Sequence, residues 1–171
     1  RALRKALDLP CSDQTGAELH CELGELLLAQ PGRIAEARRE FQDALATQPR
    51  SAKALAGLGT CFLQEGNKKS AHDHFAASLG LDLSNASAIY HLTRLAYELR
   101  SYATAARILE EYVQSAPVNA NLLYSLAGLQ FHLGRLKDSE STARQVISLA
   151  PGHAGAEELL ELIGTYSKGL D

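Results

Sequence analysis

Six histidines, three cysteines and several adjacent acids are the side chains through which this chain could do chemistry. Metal binding needs two or more of them converging on one point. His72 and His74 stand two apart, so a helix would send them to different sides. His20, His91, His132 and His153 lie far apart, and no H-E-x-x-H occurs. Cys11, Cys21 and Cys61 form no C-x-x-C and no disulfide framework. A nucleophilic serine would need a G-x-S-x-G elbow, which is absent. No G-x-x-x-x-G-K-[ST] phosphate loop occurs. Glu110–Glu111 and Glu157–Glu158 are neighbours in sequence, hence splayed apart on a helix. The expectation is no catalytic residue, no metal and no cofactor, with His91 and His132 kept as candidate hydrogen-bonding groups.

Composition narrows the class further. The 171 residues carry a formal charge of −3 and are 46% hydrophobic, which is ample for a core. Ala and Leu dominate, with neither Trp nor Met. Mild acidity gives no electrostatic footprint for nucleic acid or an anionic membrane. No apolar run is long enough to insert in a bilayer. The odd cysteine count slightly favours a cytoplasmic, reducing location, and a periplasmic one stays open.

The elements that hold these residues repeat every 34 positions. Pro49, Pro117 and Pro151 share one ladder, with Leu83 on the remaining rung. Ala37, Ala71, Ala105 and Ser139 form another, and Phe41, Phe75, Leu109 and Ala143 a third. Leu58, Leu92 and Leu126 form a fourth. Such a period marks one supersecondary unit stacked on itself. Each period splits into two amphipathic helical patterns. Leu55, Leu58, Phe62 and Leu63 share a face, Gly66–Asn67 interrupts, and Ala71, Phe75, Ser78 and Leu79 share the next. Gln30–Pro31–Gly32 holds the one-residue insertion that makes the first unit longer. The reading is one domain over 1–171. Residues 1–9 are the second helix of a truncated repeat. Repeats cover 17–51, 52–85, 86–119 and 120–153, and 154–167 is a capping helix. The start in mid-pattern, without Met, suggests a fragment of a longer protein.

These residues resemble the tetratricopeptide repeat. Leu58, Gly59, Phe62, Gly66, Ala71, Phe75 and Leu79 carry the likeness in one unit. Leu23, Gly24, Gly32, Ala37, Phe41, Ala44, Leu45 and Pro49 carry it in another. Leu83 in place of proline, and Thr93 and Ala127 in place of Gly59, are departures. The resemblance implies an all-α, right-handed α-solenoid of helix-turn-helix repeats whose first helices line a concave groove. The groove positions it implies are Lys53, Thr60 and Gln64, then Tyr90, Arg94, Tyr97 and Glu98, then Asn121, Tyr124, Phe131 and His132. Tyr90, Tyr97, Tyr124 and Phe131 would form one aromatic wall around Arg94. Such rings offer rigid contact area at low entropy cost.

The expected function is therefore a protein-interaction scaffold that holds a peptide or subunit of a partner protein. The carboxylate clamp that grips the tails of Hsp70 and Hsp90 chaperones is not expected, because Ala56 and Thr60 occupy its Lys and Asn positions. Self-association through repeat ends stays open. So does a rival reading, a regulatory or substrate-recruiting segment of a larger enzyme such as a transferase, with its catalytic domain elsewhere.

Overall fold

The computed structural model describes residues 13–115, 117 and 119–168. The helix expected over 1–9 and Cys11 lie outside them. The described residues form nine helices and no strand: α1 Asp13–Leu28, α2 Ile34–Thr47, α3 Ala52–Gln64, α4 Lys68–Leu79, α5 Ala86–Leu99, α6 Tyr102–Ser115, α7 Ala120–His132, α8 Leu136–Leu149 and α9 Ala154–Lys168. Helices this short are marginal in water alone and are stable only when their apolar stripes are covered. The chain divides into two compact units, one ending at Leu95 and the other beginning at Ala96, so the division falls within α5.

Side-chain caps fix where several of the helices begin. The Ser51, Asn67, Asn85 and Asn119 side chains accept from the backbone N–H groups of Ala54, Ser70, Ala88 and Leu122 at 2.8–3.2 Å. The His153 Nδ1 does the same for Ala156 at 3.2 Å. Each bond satisfies a donor that the opening turn leaves unpaired. Ser51, Asn85, Asn119 and His153 recur at the 34-residue step. His153, weighed above as a chemical group, is thus a helix cap. The α1–α2 connection runs through five residues, 29–33, where 65–67 and 133–135 have three. Gly32, Gly66 and Gly134 share a φ of 73–79°, which closes these turns in the left-handed region that glycine enters without strain.

In the first unit, Ala17, Cys21, Leu27, Ala37, Phe41, Ala44, Ala54, Leu58 and Cys61 bury one another. The Phe41 ring fills the space left by two missing side chains. A Cβ on Gly24 would lie 2.7 Å from its Cζ, and one on Gly57 would lie 2.6 Å from its Cδ1. Phe75 lies against Gly59 in the same way. Cys21 and Cys61 carry free, buried thiols. Burial pushes the Cys61 thiol up to about 11 and raises that of Cys21. Neither is poised as a nucleophile, since the thiolate is the reactive form.

In the second unit, Leu123, Val146 and Ala156 are buried together beneath Val113, Ala120 and Ile147. A polar network crosses α6, α7 and α8 beside them. Gln130 Nε2 donates to Glu110 at 3.1 Å, and the Thr142 hydroxyl donates to Gln130 Oε1 at 2.8 Å. Arg135 bridges Glu110 and Asp138 at 2.8 Å each. The Ser139 hydroxyl donates to the Ala127 carbonyl at 2.7 Å, so the small residue on the alanine ladder ties α8 to α7.

Candidate functional site

Tyr97 from α5, Tyr124, Phe131 and His132 from α7, and Leu159 and Leu162 from α9 line a recess of about 370 Å³ in the second unit. Ser125 and Gly128 complete its floor. The volume falls within the range of roughly 300–1,000 Å³ common to ligand pockets.

Backbone without side chains lets the rings lie flat. Tyr97 crosses α7 at Gly128, where any Cβ would overlap its hydroxyl. Tyr124 crosses α9 at Gly155, where a Cβ would lie 2.7 Å from the ring. Both pairs are 31 residues apart, so one device occurs twice. The Tyr97 hydroxyl donates to the Ser125 carbonyl at 3.3 Å, and burial pushes its phenol up to about 12. His132 stacks on Tyr102 at 4.6 Å and meets Tyr97 edge-on at 5.5 Å. Tyr166 meets Phe131 edge-on at 5.5 Å, and Tyr124 rests on His153 at 4.8 Å. The rings are thereby held in place while Tyr97 and Tyr124 each keep 37% of their surface exposed. Pre-positioned aromatics of this kind cost little entropy when a partner arrives.

Replacing Gly128 by alanine tests this close approach. The added methyl should displace the Tyr97 hydroxyl and expose it, so its phenol falls toward the ordinary value near 10. Stability should change by less than about 1 kcal/mol, because alanine is the better helix former. In ¹³C-tyrosine spectra, Tyr97 should titrate at about 12 in the wild type and markedly lower in the variant. An unchanged Tyr97 midpoint would show that the contact does not position the ring.

The other sequence-predicted residues are placed differently. Tyr90 lies in the first unit, 63% exposed and edge-on to His91 at 5.4 Å. Arg94 belongs to that unit too, exposed at the surface. His91 stacks on Phe75 at 5.2 Å, and burial, with the nearby Arg94 charge, lowers its pKa. Lys53 pairs with Glu25 at 3.2 Å, and the Thr60 hydroxyl donates to the Ala56 carbonyl at 3.1 Å. Gln64, Glu98 and Asn121 are exposed. Of the residues of the aromatic wall that the resemblance implies, Tyr90 and Arg94 belong to the first unit and Tyr97, Tyr124 and Phe131 to the second.

Sequence reasoning missed the part played by α9. It is expected to cover the last apolar stripe with Leu159, Leu160, Leu162 and Ile163. Ala156 and Ile163 are buried, whereas Leu162 is 43% exposed and lines the recess with Leu159. At about 100° per residue, 155, 159, 162 and 166 form a stripe distinct from 156 and 163. The signal was present, since α9 begins 34 residues after α7 and repeats its register.

His20, Glu40 and Asp43 also come together, their ligand atoms within 4.8 Å of one another, which the spacing along the chain did not suggest. A 2.8 Å hydrogen bond between His20 Nδ1 and Glu40 accounts for the closest pair. No helix among the described residues is long and apolar enough to cross a membrane.

Comparison with known proteins agrees with this architecture. Mouse (Mus musculus) tetratricopeptide repeat protein 21A is 25% identical over 150 residues, 86% of this chain but 11% of that protein. The chain thus spans about a tenth of that relative. Among solved structures, YrrB, described as a tetratricopeptide repeat protein with an unusual peptide-binding site, superposes with a TM-score of 0.75 at 21% identity. The match covers 98% of this chain and 84% of YrrB. MamA gives 0.67 at 21% identity, covering 91% of this chain and 84% of its own. Pseudomonas aeruginosa PilF gives 0.58 at 20%, covering 92% and 71%. These likenesses show the shared solenoid fold. The tetratricopeptide repeat family model matches residues 21–87 and again 90–154. With its 34-residue hairpins and glycine-seated rings, the chain belongs to the tetratricopeptide repeat family.

Proposed function

We propose that this chain is a non-catalytic protein-interaction module, and that the recess of the second unit receives a side chain from a segment of a partner protein. One observation carries the reading. Tyr97, Tyr124 and Phe131 pack against neighbouring rings, the two tyrosines also against glycine backbone, and all three line one concave volume. Apolar surface held ready and left uncovered is how binding hot spots are built. The peptide-binding site named for YrrB is in keeping with this reading but does not locate a site in this chain. Lys53, Thr60, Gln64, Tyr90 and Arg94 are further candidate contact residues, all in the first unit. Glu98 and Asn121 belong to the unit that holds the recess.

The test begins with affinity capture on the wild-type chain beside a variant with alanine at Tyr90, Tyr97, Tyr124 and Phe131. Captured proteins are then titrated individually against both. Affinity should fall at least about tenfold in the variant, as expected when aromatic anchors are removed. Helical circular dichroism should persist. Equal affinity for both chains would remove the reading.

A further inference from the structure

Ion pairs in the second unit take up three of its arginines, while Arg100 and Lys137 are in no salt bridge among the described residues. Arg107, Arg135 and Arg144 lie on or beside α6 and α8, each matched by an acid: Glu111, Glu110 with Asp138, and Glu140. Among the described residues, no lysine or arginine lines the recess. Helix α9, which supplies one of its walls, carries Glu157, Glu158 and Glu161, and none of these is in a salt bridge among the described residues. Glu158 falls three residues after Gly155, which lies beneath Tyr124, and four before Leu162, which lines the recess. On a helix those offsets place it beside both, at the edge of the recess, with Glu161 following along the same side.

We propose that the segment docked in this recess is basic: an aromatic or aliphatic side chain enters among the rings, and a flanking Lys or Arg reaches Glu158 and Glu161. This rests on the binding function proposed above and adds the chemistry of the partner. Unmatched carboxylates beside an apolar recess favour a cationic segment and repel an acidic one, which sets both encounter rate and selectivity. The ring faces of Phe131 and Tyr166 carry negative quadrupole charge and would favour the same cation. An arginine meets both demands through its flat guanidinium and its apolar stem.

Phage-displayed random twelve-residue peptides, selected on the immobilised chain, supply the probe. Enriched peptides are synthesised and titrated by fluorescence anisotropy at 50 and 300 mM NaCl. The variants are Glu158→Gln/Glu161→Gln, Tyr124→Ala/Phe131→Ala, and a control, Glu111→Gln, on α6. The expected peptides are net positive with an aromatic or aliphatic residue next to Lys or Arg. The double glutamine variant should bind them about five- to tenfold more weakly and lose most of the salt dependence, as for rim charge pairs. Glu111→Gln should bind normally. Peptides that need Tyr124 and Phe131 but are neutral or acidic, or are indifferent to the glutamine variant, would overturn the basic partner and leave the docking site standing. Peptides indifferent to Tyr124→Ala/Phe131→Ala, or no enrichment at all, would overturn the docking site and this inference with it.

Discussion

Replacing Phe41 by alanine should destabilise the first unit by about 3–5 kcal/mol, the cost of removing a fully buried phenyl ring whose surroundings relax only partly. The ring is 0% exposed and lies across both Gly24 and Gly57, so two helices lose their shared contact at once. A second substitution makes the claim specific. Alanine at Gly57 places a methyl inside the van der Waals radius of the ring, and overpacking of this kind costs about 1–3 kcal/mol. With alanine already at position 41, the same methyl enters the vacated space. The better helix propensity of alanine, about 1 kcal/mol over glycine, then decides the sign. Gly57→Ala should therefore destabilise the wild type and stabilise Phe41→Ala. Urea titrations of the four chains, followed by circular dichroism, give the coupling energy. Simple additivity would show that the ring does not occupy the glycine site.

The second large effect is expected at Gln130. Its amide is 4% exposed and joins Glu110 on α6 to Thr142 on α8. Leucine there should cost about 2–3 kcal/mol, because the Thr142 hydroxyl loses its acceptor without gaining water. Removing the second partner should reverse part of that loss. Gln130→Leu with Thr142→Val replaces both polar groups by apolar ones of similar shape, and should recover at least half of the stability. Glu110 retains Arg135 at 2.8 Å throughout, so no carboxylate is stranded. Thermal melts of the single and double variants decide the matter. A double variant less stable than either single would show that the network contributes through something other than satisfying its own buried groups.

The candidate site was legible in part, and the reason is periodicity. Tyr97, Tyr124 and Phe131 could be named as candidates because the family resemblance assigns groove positions within the repeat register. Register does not say how far a ring reaches across to the next helix. That depends on Gly128 and Gly155, 31 residues further on, whose significance appears only once the helices lie side by side. Likewise, 154–167 reads as a cap when its apolar residues are counted together. Its division into a stripe that packs and a stripe that lines the recess depends on where α8 ends and α7 begins. His153 shows the opposite case: a titratable side chain that invited a chemical role is used to start a helix.

The chain's own letters sufficed for the helix-turn-helix unit, its length of 34 and the family. All of these follow from interactions within one or two turns and from their repetition. Which residues meet around one volume, and which acids of α9 are in no salt bridge among the described residues, are tertiary facts. They depend on distances between segments 30 or more residues apart, set by packed volume and backbone approach that no local pattern records.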